Sequence, residues 1–529
     1  MTPDRQRRSS ARNRVADIVD RIAAGIQRRF EIDRRALAAF RIALGTLLIV
    51  DLLRRARKLE DFYTDSGVLP REALFADYSA PYTYSLHAVS GEVWAQALLF
   101  CVAGVVALAL LVGYRTRTAT IVSWLLLVSL HLRNPMVLNS GDVLLRMLLF
   151  WGIFLPLGSR WAVDTCRIDR DALRPTVVSV GTMAVLLQVL LMYVTNAIHK
   201  TQSDLWMSGE AVVHIFQADH LTYLLGNVLA GQNLLLQAFT YAWMILIVLS
   251  PLLVLSTGLK RASIASLFVG MHLGMLVTLR IDLFPLIVVA GLVLFYPPRV
   301  WNGATAVAAR IGVDVPLRRS LDRLQATVPV LPVPGPSELD VTRPDVPSFS
   351  AVATRGRVLF ATVIPWVLLV LVVLSNAEAV GYTEVPETGE DVLDTVRADQ
   401  SWRMFAPNPT STARWLVVPG ELEDGSKADV LHDSDVDWDR PPSVDATYDT
   451  ARERKYVSNM RYAGNEKHRS YFANYLCERW NASHETNVES LTVYGLTDRS
   501  GPYEESPDVA RYELLEYDCS GEFVQNGNT

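Results

Sequence analysis

The chain has 529 residues, of which 50% are hydrophobic and 20% charged, with a mean hydropathy of +0.21. The formal net charge of −5 offers no basic surplus for holding nucleic acid. Four cysteines and no CxxC, HExxH or Cys/His cluster exclude a disulfide framework and predict no structural zinc.

These averages hide two unlike parts. Residues 1–376 carry about 36 Lys and Arg against about 25 Asp and Glu, while residues 377–529 carry about 14 against about 30. An apolar, mildly basic part joined to a polar, acidic one predicts an integral membrane domain followed by a water-exposed domain. No short apolar core with a cleavage site precedes the first apolar span, so no cleaved signal peptide is expected.

Residues 1–35 include ten arginines between Arg5 and Arg35, and Val15, Ile18, Ile22, Ile26 and Phe30 recur at helical spacing. That pattern predicts a basic amphipathic helix on the cytoplasmic surface of a bilayer. The first span, Ala36–Leu53, contains Arg41, which either snorkels or faces a bundle interior. Further apolar stretches are Val93–Val112, Ala119–His131, Asp142–Leu157, Val177–Ile198, Leu234–Leu255, Ala262–Leu279, Leu283–Tyr296 and Val358–Leu374. The total is about nine transmembrane helices, most of them within a transmembrane domain over residues 36–297.

With the N-terminus inside, the inner loops hold Arg115 and Arg117, then Arg160 to Arg174, then Lys260 and Arg261, then the arginines of the linker. This agrees with the positive-inside rule. One cluster, Arg54, Arg55, Arg57 and Lys58, falls on the opposite side. Residues 211–230 are too polar to span and predict a re-entrant or interfacial helix over the outer mouth.

Residues 298–357 form a Pro-rich linker, in which Leu331–Pro336 and Arg343–Pro347 preclude long helices. After the last span, residues 358–376, the acidic segment 377–529 reads as an extracytoplasmic, β-rich (α+β) domain. Val417, Val418 and Leu491–Tyr494 have strand character, Leu422-Glu-Asp-Gly425 signals a turn, and Tyr471–Asn481 reads as a helix. Cys477 and Cys519 both lie in this domain; spacing leaves open whether they pair.

Three stretches reach the same outer face in the nine-helix arrangement. In the first, a span ends in His199 and Lys200, followed by Asp204, Trp206 and Gly209. The second is the polar hairpin His131–Asp142, with Asn139. The third runs from Met271 and His272 through the break Arg280-Ile-Asp282 to Pro285. Ionisable groups at membrane depth are costly and usually face a cavity or a partner. A lysine ending a span can also simply snorkel beside a Trp anchor, and a histidine in a span can be a packing residue.

Together these stretches resemble the vitamin K-dependent γ-carboxylase-like family, also called the HTTM (horizontally transferred transmembrane) domain, over roughly residues 30–300. The resemblance is carried by Phe40–Gly45, Phe62–Pro70, Asn139–Asp142, Phe154–Gly158 with Trp161–Asp164, the Lys200 stretch, and His272 to Phe284-Pro285. Trp402–Pro409 looks like a segment that follows the last span in many prokaryotic members. The resemblance implies a multi-pass membrane enzyme that oxidises a reduced vitamin K or menaquinone-type quinone with O₂. The base so formed takes a proton from a peptide glutamate, and CO₂ is added. It implies Lys200 as the base that deprotonates the hydroquinone, a role a lysine against apolar walls can fill.

His272 is then a candidate acid–base or oxyanion partner, with Asp142 a further catalytic candidate. His199 or Asp204 orients the base, and Asn139, Trp206 and Asp204 are cofactor-binding candidates. The carboxylases carry an Asn-His pair near the position of Ser140-Gly141, and a lysine where His199 stands. The expected partners are the lipid bilayer and a peptide or protein substrate outside the cytoplasm. The alternative class is a non-catalytic membrane scaffold or maturation factor that binds a protein through its outer domain. A transporter is a third reading, against which the lack of an evident inverted repeat counts.

Overall fold

The computed structural model describes residues 17–18, 20–78, 80–167, 173–312, 359–409, 412–500 and 508–525. The start of the basic segment and the Pro-rich part of the linker lie outside the described residues. Within the basic segment, residues 20–30 are helical and Ile22 and Ile26 stand exposed one turn apart. This is the face an amphipathic helix lays on a bilayer.

The membrane part is a helical bundle: α1 (Arg34–Ala56), α2 (Val93–Val112), α3 (Thr116–Arg133), α4 (Ser140–Gly152), α5 (Val180–Thr201), α6 (Asn233–Val248), α7 (Gly258–Thr278), α8 (Phe284–Leu292), α9 (Pro298–Arg310) and α10 (Ile364–Ala379). Five helices are long and apolar enough to cross a bilayer: α1, α2, α5, α7 and Leu359–Ala379, which includes α10. A sixth results if Phe284–Phe295 and Pro298–Arg310, bent by 107° at their junction, count as one.

The other expected spans fall short for local reasons. Asp142–Leu157 stops as a helix at Gly152, ahead of Pro156, and Leu234–Leu255 breaks at Pro251 after the 16-residue α6. The third, α3, carries Arg117, His131 and Arg133 along its length.

Arg41 faces the bundle and not the headgroups. It is fully buried, and its guanidinium donates to the carbonyls of Leu110, Leu111 and Trp161. Those carbonyls belong to the C-terminal turn of α2 and to the loop after α4, where backbone acceptors are free.

The C-terminal part is α+β. Strands β1 (Arg414–Val417), β2 (Pro419–Leu422), β3 (Lys427–Asp429), β4 (Val488–Asp498) and β5 (Val509–Asp518) form one antiparallel sheet. The long β4 is central: β5 runs along one edge, and β1 and β2 share the other. The predicted turn closes the β2–β3 hairpin, with Gly425 at φ 80°.

Helices α11 (Ala451–Met460) and α12 (His468–Ser483) complete this part. The Cys477–Cys519 disulfide forms, joining α12 to the chain just after β5. Its core is not separate from the bundle: Tyr456, Phe472 and Trp415 share one apolar cluster with Phe62, Tyr63 and Met136. Each such side chain taken fully out of water contributes about 1.5–3 kcal/mol, so this interface holds by packing as well as by charge.

Candidate functional site

A chamber of about 800 Å³ lies where α5, α7 and α11 meet. Its walls are chiefly apolar and aromatic, from Met192, Tyr193, Trp206, Phe216, Trp243 and Phe284. The segment after α5 supplies much of one wall. It folds as three short helices, Ala211–Gln217, Asp219–Leu221 and Leu225–Leu229, and not as one. It is pinned to the break after α7 by Tyr223 N–H to Thr278 O (3.2 Å) and Arg280 N–H to Leu221 O (2.8 Å). Gly226 is required there, because a Cβ would lie 2.1 Å from the Thr278 carbonyl oxygen.

Lys200, in the last turn of α5, lines this chamber. Its Nζ sits 3.8 Å from the Trp206 ring centroid and 5.6 Å from that of Trp243. Among the described residues its amine lies over those two rings, and no carboxylate pairs with it. An ammonium over an indole face is a stabilising arrangement, and it fixes the amine without consuming it in an ion pair.

His272 lines the same chamber from α7, buried among Tyr193, Trp243 and Phe284. Its Nδ1 lies 2.8 Å from the Phe268 carbonyl oxygen, one turn back. That oxygen can only accept, so Nδ1 carries the proton and Nε2 of the neutral ring is left as an acceptor. The Tyr193 hydroxyl is buried with no hydrogen-bond partner among the described residues. An amine, an imidazole and a phenol, from two helices, thus converge on one apolar space.

Trp206 and Asn139 also line the chamber. The Asn139 amide oxygen caps α4, accepting from Gly141 N–H at 2.7 Å, while Asp142 Oδ2 accepts from Asn139 N–H at 2.8 Å. Gly141 packs against Phe284, where a Cβ would lie 3.3 Å from its Cα.

The other three predicted site residues do not line the chamber. Asp142 points away from it into a buried ion cluster. His199 turns to the other side of α5, with Nε2 donating to Ser401 O at 3.1 Å. Asp204 is exposed at the start of a short helix, Asp204–Met207. Asp142 and His199 find partners elsewhere, and Asp204 meets water.

The ion cluster joins the two parts of the chain. Arg452 of α11 places Nη2 2.6 Å from Asp51 Oδ1 and 3.0 Å from Asp142 Oδ1, with Asp282 Oδ2 at 3.5 Å. Arg55 pairs with Asp51 at 2.7 Å and with Asp142, and Arg54 pairs with Asp282 at 2.9 Å. Burial works against the charge on Arg452, but Asp142, Asp51 and Asp282 more than offset it and raise its pKa. The basic cluster that runs against the positive-inside pattern is therefore largely neutralised: Lys58 likewise pairs with Asp61 and with Asp449.

The segment after α10 wraps the end of α5. Asn196 Nδ2 donates to Trp402 O at 2.9 Å and Met404 O at 3.2 Å, and Trp206 Nε1 donates to Phe405 O at 2.9 Å. Met404 and Phe405 thereby become chamber wall. Sequence reasoning singled out Trp402–Pro409 but gave it no place in the site. It also missed Tyr193, Trp243 and the whole contribution of α11: Ala451, Arg454, Lys455 and Ser458 line the chamber from outside the membrane part.

The HTTM domain profile matches residues 30–301. The chain belongs to the HTTM domain family. No match is found among curated proteins or among solved structures. The HTTM region thus supplies Lys200, His272 and most of the apolar wall, while the chamber is closed by residues that follow it in the chain.

Proposed function

We propose that this HTTM protein is a membrane enzyme whose chamber carries out base-initiated, quinone-linked chemistry on a peptide at the outer face. The observation that carries this is the placement of Lys200 and His272 in one apolar chamber, the amine held over Trp206 with no counter-ion. A non-catalytic scaffold does not call for such convergence.

The residues present fit a quinone. Aromatic walls at Trp206, Trp243 and Phe284 suit a flat ring, and the unpartnered Tyr193 hydroxyl and His272 Nε2 suit its oxygens. A reduced menaquinone-type ring, when bound, supplies ionisable hydroxyls and two electrons for O₂, with CO₂ the further co-substrate of a carboxylation. Lys200 takes the proton from a ring hydroxyl, and Trp206 keeps the resulting ammonium in place. His272 accepts or returns a proton at Nε2 while Phe268 O holds Nδ1–H. The apolar wall excludes bulk water from any strong base formed.

The chamber opens sideways as well. Leu225, Phe239 and Val277 line it and are 55%, 39% and 37% exposed; with a bilayer around the bundle these face lipid, the route a membrane-dissolved quinone needs. The reading takes about nine membrane helices with the N-terminus cytoplasmic; its placement of the acidic part outside is supported by the Cys477–Cys519 disulfide, which suits an oxidising compartment.

Mass spectrometry of co-expressed secreted peptides, with and without a reduced naphthoquinone, tests the reading. A gain of the mass of CO₂ that requires the quinone and vanishes in Lys200→Ala is expected. A Lys200→Ala protein that is folded and equally active would refute it.

A further inference from the structure

Helix α11 presents two faces. Arg452, Tyr456 and Asn459 face the bundle: Arg452 enters the ion cluster, Tyr456 packs on Phe62, and Asn459 donates to Met136 O at 2.7 Å. Ala451, Arg454, Lys455 and Ser458, spaced i, i+3, i+4 and i+7, line the chamber.

Among the residues on this second face the charges are all positive. Arg454 spends its guanidinium on backbone carbonyls, His220 O at 3.1 Å and Arg280 O at 2.7 Å. It is thereby held at the chamber edge with no carboxylate hydrogen-bonded to it. Half-buried Lys455 makes no hydrogen bond or ion pair with any described residue.

Within the chamber, Asp282 is the one carboxylate among the lining residues. Asp282 is already engaged by Arg54 and Arg452. A cleft lined by one sign of charge, with low-dielectric walls, concentrates the opposite charge.

We infer that Lys455, supported by Arg454 and Ser458, is a binding site for a carboxylate group, so that the C-terminal domain selects an acidic ligand for the chamber. The carboxylate arrives either on an apolar chain from the bilayer, through the open side at Leu225 and Val277, or on a small acid from water past exposed Ser458. This rests on the chamber being the ligand site. The assay below reads binding and not turnover, so a failed carboxylation test and a failed carboxylate preference are separate results.

The full chain in phosphatidylcholine nanodiscs is titrated with dibromostearate and, as the neutral control, dibromostearyl alcohol. The readout is the quenching of tryptophan fluorescence that disappears in Trp243→Phe. Glutarate against glutaramide, followed by calorimetry, forms the water-borne arm.

The expected result is binding of the carboxylate about tenfold or more tighter than its neutral counterpart in at least one arm. That preference falls to within about threefold in Lys455→Gln and returns in Lys455→Arg. The arm in which it occurs identifies the source. Equal binding of acid and neutral analogue in both arms, or a preference untouched in Lys455→Gln, overturns the inference. An unchanged melting temperature for Lys455→Gln separates a lost contact from a lost fold.

Discussion

Arg452→Met is the sharpest perturbation of this architecture. In the buried cluster, three carboxylates (Asp51, Asp142 and Asp282) face three guanidinium groups (Arg54, Arg55 and Arg452). Methionine fills much of the space but leaves three carboxylates, whose side chains are 4% exposed or less, one positive charge short. Removing one partner of such a pair costs about 3–5 kcal/mol. That corresponds to roughly a hundredfold to several thousandfold in the docking equilibrium of the C-terminal domain.

Hydrogen exchange of the full chain in nanodiscs reads this directly. Protection of amides 453–460 and of the facing hairpin at 136–142 should fall by about two to three orders of magnitude. The double variant Arg452→Met/Asp142→Asn restores charge balance and should recover at least about 1 kcal/mol of the loss, although it forfeits the cap of α4. A fall in protection below about threefold, or a double variant worse than the sum of the singles, would refute the view that electrostatics seats this domain.

Three further perturbations follow from the same geometry. Asn196→Ala strips a donor from both the Trp402 and Met404 carbonyls. It should destabilise the protein by about 2 kcal/mol and speed proteolysis within residues 401–409; unchanged cleavage would show that the wrap is held elsewhere. Replacing Cys477 and Cys519 by serine opens a cross-link across 42 positions and should cost the C-terminal domain about 4 kcal/mol in denaturant unfolding; a loss below about 1 kcal/mol would contradict this.

His432 lies 2.9 Å from Asp429. Burial opposes its charge, but the hydrogen bond and charge of Asp429 outweigh this and raise its pKa above 6.5. Because the folded value is the higher one, the stabilisation is complete below the unfolded pKa and is lost as pH rises through the folded pKa. Thermal melts should therefore lose stability across that upward window, and His432→Gln should flatten the curve. A curve of the same slope in the variant would remove His432 from the account.

Lys200 and His272 are legible in the sequence because each is an ionisable group at the end of, or within, an apolar run, where only a cavity or a partner makes it tolerable. The Trp206 wall is legible for a similar reason, as an aromatic beside the helix end. Asp142 illustrates the limit. Sequence spacing puts it on the correct hairpin, but whether its carboxylate turns toward Lys200 or toward Arg55 depends on a cap and on an arginine 310 positions away.

The same holds for the chamber face of α11. Ala451, Arg454, Lys455 and Ser458 form an ordinary polar helix pattern, and nothing local marks which of its faces meets a membrane bundle. The expected spans Asp142–Leu157 and Leu234–Leu255 run past helix ends near Gly152 and Pro251, because hydropathy does not register such ends. The β1–β4–β2 arrangement was beyond reach for the converse reason, since register in a sheet is a long-range property.

The two faces of α11 tie selectivity to assembly. One helix holds the domain down with Arg452 and, a turn later, offers Lys455 to whatever enters below. Exchanging the acidic module between relatives would therefore transplant ligand taste along with the lid, leaving the lipid-embedded half as a common chassis. Diversity among such proteins can then accumulate in water, where substitutions are cheap to fold, while the greasy chamber beneath stays the same.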